Sequence, residues 1–226
     1  MAFLSRKPSF LATKEWTTIP FRETPPSPVH ELMSEAAVIP SILARVDTDE
    51  RGDFTAQALK EFEVVLDRLS SWGAAFESRA SSPSFWSESH AGDGRQHIWF
   101  YNITAANALT HLWAFRIICL RNIGRLKASC FGAAPDAHFD ETKRLAVMIC
   151  QSTEYLVQDK MKLFGPTSVV LPLRIALETF EAGGSQSREE LGWCNATIAD
   201  VFNRGYQFMA LFFDIQKDGK NVASAG

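Results

Sequence analysis

The sequence predicts an all-α fold: a single compact helical domain of about seven helices, preceded by an irregular N-terminal arm. Apolar residues recur at steps of three and four along most of the chain, which is the spacing of one helix face. No segment shows the sustained alternation that is typical of a strand. A chain of 226 residues with 46% hydrophobic residues is long and apolar enough to bury one substantial core.

The composition divides the chain into three parts. Residues 1–29 predict an irregular arm, because repeated prolines break any long helix there. Apolar residues of the arm, such as Phe3 and Phe10, indicate that it lies across the domain, either as plain packing or as a lid over a cavity. Residues 30–216 form the predicted helical domain, and residues 217–226 a polar tail.

The first half of the domain predicts helices separated by turns. A short helical pattern covers residues 30–46 and is interrupted by Pro40. A long amphipathic helix follows near 53–78, with Asp53 as its expected cap. Residues 78–95 are rich in Ser, Gly and Pro and predict a loop.

A central helix is predicted near 102–126, inside a segment from His97 to Leu126 that is apolar nearly all round. Such a helix is buried in the core. Its polar side chains raise the free energy of the fold unless they are paired. These are Asn102, Asn107, His111, Arg116 and Arg121.

The second half predicts a Gly/Ala/Pro loop over 130–140 and then helices near 140–163, 167–181 and 188–203, with a last apolar helix ending near residue 216. Gly165-Pro166 separates the first two of these helices, and Pro172 predicts a kink in the second. Ser187 and Glu190 have the spacing of a capping box at the start of the third.

Charge and cysteine usage exclude several classes of protein. The formal net charge is −3, from 23 Lys+Arg and 26 Asp+Glu, whereas a nucleic-acid binder normally shows a basic excess. The four cysteines form no CxxC motif, which disfavours a zinc or redox site and favours buried reduced thiols. No signal peptide and no membrane-spanning run is evident, so we expect a cytoplasmic protein that binds neither nucleic acid nor membrane.

Several blocks resemble the C-terminal helical regulatory region of fungal Zn2Cys6 zinc-cluster transcription factors. The blocks are ELMSEAAVIPSILARVD, FYNITAANALTHLWAFRIICLRNI, CQSTEYL, FGPTSVVLPLRIAL and WCNATIADVFNRGY, which together span roughly residues 31–208. The six-cysteine zinc cluster of that family has no counterpart in this sequence. The chain is therefore similar to a regulator's ligand-responsive half, as a stand-alone protein or as a fragment, without its DNA-reading half.

This resemblance implies a helical fold that binds small molecules in fungal secondary metabolism. The chain is also similar, in its helical composition and its lack of catalytic motifs, to stand-alone proteins that catalyse hetero-Diels–Alder cyclisations in tropolone sesquiterpenoid biosynthesis. We therefore expect a cofactor-independent cyclase with a hydrophobic polyketide or terpenoid ligand. The first alternative is a regulatory domain, nuclear rather than cytoplasmic, that acts through ligand or protein binding. A third possibility is a purely structural interaction module. A homodimer is compatible with either function.

No nucleotide loop, metal motif, nucleophile elbow or carboxylate pair is present. A cyclisation needs only a shaped apolar cavity, hydrogen-bond donors for a carbonyl and exclusion of water. His111 and Asn107 lie four residues apart on the central helix and are the first catalytic candidates. The alternative for His111 is a core histidine bonded to a neighbour.

Arg174 is the third catalytic candidate, as a clamp on a carbonyl or enolate oxygen. Its alternative is an intrahelical pair with Glu178. Four aromatic residues and one further arginine complete the expected site. They either line the cavity or, in the alternative, serve as core packing and as an ion-pair partner. These substrate-binding candidates are Trp99, Tyr101, Trp113, Arg116 and Trp193.

Overall fold

The structure is a computed structural model that describes residues 2–49, 51–89, 94–132 and 137–213. Its helices, in chain order, are α1 (Ala2–Ser5), α2 (Lys14–Thr18), α3 (Pro28–Ala36), α4 (Ile39–Thr48), α5 (Thr55–Ser78), α6 (Ile103–Phe131), α7 (Phe139–Leu156), α8 (Phe164–Ser168), α9 (Val170–Ala182) and α10 (Arg188–Asn203). Strands β1 (Phe85–Ser89) and β2 (Gln96–Phe100) lie between α5 and α6. The predicted all-α compact fold is confirmed, with this hairpin as an addition.

Helix α6 is the central element, and it packs most extensively against α5, α7 and α9. The buried apolar side chains of these helices form one continuous core. By length and composition alone α6 could cross a membrane, but 78% of its most apolar window is buried inside the fold. Cys119, Cys150 and Cys194 are buried free thiols, as expected, whereas Cys130 is exposed.

The ends of α6 are set by local chemistry. The Asn102 side chain accepts a hydrogen bond from the backbone N–H of Ala105 at 2.8 Å, which satisfies one of the free donors of the first turn. The helix ends where Gly132 adopts a φ of +63°. The predicted start is thus confirmed, but the helix extends past residue 126 to Phe131, into the segment that was predicted to be a loop.

The prediction of a loop over 78–95 was wrong at β1. The residues from His97 to Phe100, which open the segment that was interpreted as apolar and helical, belong to β2, the antiparallel partner of β1. Phe85 lies opposite Phe100, and Ile98 and Phe100 are both buried, so one face of the hairpin packs on the core. The sequence HIWF hides this alternation because Trp99, on the other face, is also apolar.

The N-terminal arm is more ordered than predicted. It contains α1, α2 and two short 3₁₀ turns, Phe10–Ala12 and Ile19–Phe21. The Phe3 ring stacks on the ring of Phe115 of α6, with their centroids 4.7 Å apart. The start of the arm therefore covers part of the core, whereas Phe10, further along the arm, is 66% exposed.

The turns before α5 also differ from prediction. Pro40 lies in the first turn of α4, where its missing N–H costs nothing, so it starts a helix instead of interrupting one. Asp53 does not cap α5. The Asp49 carboxylate accepts instead from the backbone N–H groups of Asp53 and Phe54, at 3.1 and 2.7 Å.

The helix predicted near 140–163 ends at Leu156, and the one predicted near 167–181 begins at Val170. Between them lies α8, which packs directly on the end of α7, since a Cβ on Gly165 would lie 1.9 Å from the Leu156 carbonyl oxygen. The break falls at Val169. Pro172, in the first turn of α9, therefore causes no interior kink.

The helix predicted near 188–203 matches α10. Its capping box is not formed, because Ser187 ends a 3₁₀ turn and its side chain accepts no bond from the first turn. Glu190 pairs instead with Lys143 of α7 at 2.8 Å. A 3₁₀ turn, Gln207–Leu211, occupies the start of the predicted last helix. The end of that predicted helix and the predicted polar tail lie outside the described residues.

Candidate functional site

A pocket of about 460 Å³ lies between α1, α4, the C-terminal half of α6 and the ends of α7 and α9 that face it. Its size is within the range of small-molecule sites in proteins. Its walls combine apolar side chains with a group of arginines. The apolar part is formed by Phe3, Leu4, Leu43, Ile118, Leu120 and Ile175.

Helix α1 forms one wall of this pocket through Phe3 and Leu4. Two contacts hold α1 in place. Phe3 stacks on Phe115, and the Arg6 guanidinium makes two contacts with the Asp47 carboxylate of α4, at 2.6 and 2.7 Å. A four-residue helix is not stable alone, so these tertiary contacts determine its position.

Three arginines, Arg6, Arg121 and Arg125, line the same pocket. Arg121 and Arg125 are four residues apart on α6 and therefore share a face, while Arg6 follows α1. The nearest approach of Arg121 to a carboxylate is 3.7 Å, to Glu178 of α9. Arg125 donates to the Asn122 side chain at 3.1 Å.

Burial is the main cause that lowers the pKa values of Arg121 and Arg125, and neighbouring positive charges add to its effect. Burial lowers the pKa of Arg121; Glu178 acts against this, and Arg6 and Arg125 lower the pKa further. Burial and the charge of Arg6 also lower the pKa of Arg125. Lowered values mean that the charged forms are disfavoured relative to water, although both groups remain cationic at neutral pH.

The remaining polar groups of the wall are satisfied within their own helices. The Asn122 amide donates to the Ile118 carbonyl at 2.7 Å. The Thr142 and Thr179 hydroxyls donate to the carbonyls of Phe139 and Ile175, at 2.9 and 2.7 Å. Among the described residues of the wall, Arg121, Arg125 and His138 therefore keep side-chain donors that are available to a ligand.

The predicted catalytic pair does not line this pocket. His111 Nδ1 lies 2.8 Å from the backbone oxygen of Asn107, and its half-buried ring lies beside Phe115. Burial lowers the pKa of His111, and the hydrogen bond to Asn107 acts against this. The side-chain oxygen of Asn107 is buried without a hydrogen-bond partner among the described residues.

Arg174, the third predicted catalytic residue, lies in a smaller cleft beside the pocket, which shares Leu4 and Glu178 with it. Its Nε donates to Glu178 at 3.0 Å, which is the intrahelical pair that was the alternative for this residue. Arg116 pairs with Glu141 of α7 at 3.3 Å and lines neither cavity.

The predicted aromatic wall residues lie near the hairpin, away from the pocket. Trp99 contacts the Tyr155 ring edge to face at 5.8 Å, and Trp113 contacts Phe85 in the same way at 5.7 Å. Tyr101 is 48% exposed. Trp193 lies under the Arg95 guanidinium at 4.8 Å. These contacts fit core packing, and a role in binding stays a prediction.

Sequence reasoning missed the arginine group, although Arg121 was noted as a polar residue of a buried helix. The available signal was the like-charged i, i+4 pair on that helix, because such pairs destabilise a helix without a partner. Among the described residues no group of His, Cys, Asp or Glu could hold a metal ion.

Comparison with known proteins places the chain in no family. No family model, no curated protein and no solved structure matches it. The resemblance to the regulatory region of zinc-cluster transcription factors therefore stays a prediction.

Proposed function

We propose that this protein binds a small organic molecule in the pocket beneath α1. The observation that supports this most directly is the combination of an apolar wall with arginine donors that protein groups do not fully occupy. Burial of an apolar ligand surface contributes about 25 cal/mol per Å², while a few polar groups orient the ligand.

A binding experiment with N-phenyl-1-naphthylamine tests this proposal, because this neutral dye fluoresces when it enters an apolar site. We expect one dye per chain. Ala128→Trp and Ala182→Trp place a large ring in the pocket and should weaken binding at least tenfold. Ala74→Trp is the control, since Ala74 is exposed on α5 away from the pocket. Equal binding by all three variants contradicts the proposal.

A cyclase acting on the bound molecule is the second proposal, and the adjacency of donors and apolar wall favours it. The N–H groups of Arg121 or Arg125 can stabilise negative charge that develops on a carbonyl oxygen. The apolar wall can fold a flexible chain and exclude water from the reacting atoms. Such a reaction requires no metal motif and no nucleophile.

An unsaturated ketone with ethyl vinyl ether is a simple hetero-Diels–Alder pair for testing turnover. The uncatalysed product is racemic, so an excess of one enantiomer that disappears in Ala128→Trp supports catalysis in the pocket. A racemic product at the background rate, from protein that still binds the dye, favours the regulatory alternative, in which the ligand is bound but not converted.

A further inference from the structure

The charges around the pocket are not balanced by the protein. Arg6 is paired with Asp47, and Glu178 is shared between Arg174 at 3.0 Å and Arg121 at 3.7 Å. Across the part of the chain that the structure describes, Arg125 forms no ion pair. The described residues therefore provide four guanidinium groups here for two contacting carboxylates.

Other titratable groups near the pocket do not correct this excess. His138 lines the pocket and can only add positive charge. Glu181 acts on Arg121 as a distant charge but, within the described ranges, makes no ion pair. Among the described residues, the arginines at the pocket therefore outnumber the carboxylates that contact them.

The donors of Arg121 and Arg125 are also underused. Among the described residues Arg121 donates no hydrogen bond, and its nearest carboxylate oxygen, at 3.7 Å, is too far for one. Arg125 donates from one nitrogen, to the side-chain oxygen of Asn122. A guanidinium presents five N–H donors in a planar fork that matches the two oxygens of a carboxylate.

The pocket also has an apolar lining. Phe3 and Leu4 of α1 and Ile175 of α9 face it and offer no hydrogen bond to a ligand. A molecule that satisfies both parts has an apolar body and one oxyanion at its end. A fully neutral molecule would offer these guanidinium groups no charge-assisted hydrogen bond.

We propose that the ligand of this pocket is an amphipathic organic acid, whose oxyanion is bound by Arg121 and Arg125 and whose apolar body lies under α1. This inference rests on the proposed function, since it names the class of molecule that the pocket binds. Charge-assisted hydrogen bonds of this kind are about twice as strong as neutral ones, so the pocket should bind the acid more tightly than its neutral analogue.

The test compares two dyes of nearly the same shape: 1-anilinonaphthalene-8-sulfonate, which carries an oxyanion, and neutral N-phenyl-1-naphthylamine. By calorimetry at physiological salt we expect the sulfonate to bind at least tenfold more tightly, with one site per chain. Arg125→Gln removes the guanidinium charge and leaves a shorter, polar and uncharged side chain, and should reduce this preference to threefold or less. Arg68→Gln, on the exposed side of α5, should leave it unchanged.

Competition with unlabelled probes defines the source of the oxyanion. Dodecanoate should displace the sulfonate dye, whereas dodecanol should not. Co-sedimentation with phosphatidylglycerol vesicles that depends on Arg125 would assign the charge to a lipid surface and overturn the proposal. Equal affinities for the two dyes would also overturn it, while leaving small-molecule binding intact; failure of both dyes to bind would remove the proposed function as well.

Discussion

His111 illustrates how a residue can satisfy a sequence criterion for catalysis and yet have a structural explanation. It is a polar group on the apolar helix α6, and its Nδ1 is paired with the Asn107 carbonyl one turn earlier. Its ring also packs beside Phe115, the residue that supports Phe3 of α1. A contribution to stability explains these contacts without a ligand.

We predict that His111→Ala lowers the free energy of unfolding at neutral pH by about 1 kcal/mol or more, through the lost hydrogen bond and packing. Dye binding should stay within twofold of wild type, because His111 does not line the pocket. Urea denaturation and fluorescence titration measure the two effects. Unchanged stability with a hundredfold loss of turnover would instead support His111 as a catalytic residue.

The pH dependence of this variant follows from the lowered pKa of His111. The unfolded chain binds a proton near the ordinary pKa of 6.5, whereas the folded chain does so only at lower pH. Stability from the neutral ring is therefore complete above this value and is lost as the pH falls below it. The stability difference between wild type and His111→Ala should be larger at pH 7.5 than at pH 5.5; a constant difference would contradict this.

At the scale of elements, the sequence predicted the helices whose apolar spacing is regular. Helices α5 and α10 lie within a few residues of their predicted ends because their periodicity and flanking turns agree. The hairpin was missed because its strands are short and Trp99 masks the alternation. Packing of β2 on the core decides its conformation, and a local pattern contains no information on that contact.

Helix α1 gives the prediction that belongs to this scale. Asp47→Asn removes the partner of Arg6, and exposed ion pairs contribute about 0–1 kcal/mol. The melting temperature should therefore fall by about 4 °C at most. If α1 must open for release, neutral N-phenyl-1-naphthylamine should dissociate up to about fivefold faster, since 1 kcal/mol changes an opening equilibrium by that factor.

Stopped-flow displacement measures this release rate. Asp67→Asn on the exposed face of α5 is the matched control, since it makes the same chemical change away from the pocket. Equal release from both variants would show that α1 does not limit the exit of the ligand.

At the scale of the whole molecule, the sequence predicted a single core but not the place of its pocket. The arginines of the pocket come from positions 6, 121 and 125, and α1 reaches α6 only through tertiary packing. A single sequence contains no pairing signal for contacts so far apart along the chain. The predicted cavity beside the central helix was placed near His111, whereas the pocket lies beside Ile118 to Ala128.

The distribution of charge over the molecule predicts that the protein does not bind DNA specifically. A DNA-binding surface neutralises several successive phosphates, often 6–10, with exposed Lys and Arg. Here the net charge is −3, and the group of arginines described above lines a pocket, where Arg6 already contacts a carboxylate. We expect a gel-shift titration with random and selected duplexes to show no sequence-dependent complex at physiological salt, up to about 10 µM protein. The dissociation constants of non-specific complexes lie near or above this concentration. Weak binding that Arg125→Gln abolishes would reflect phosphate entering the pocket, whereas sub-micromolar binding that varies with sequence would contradict the prediction and favour the regulatory function.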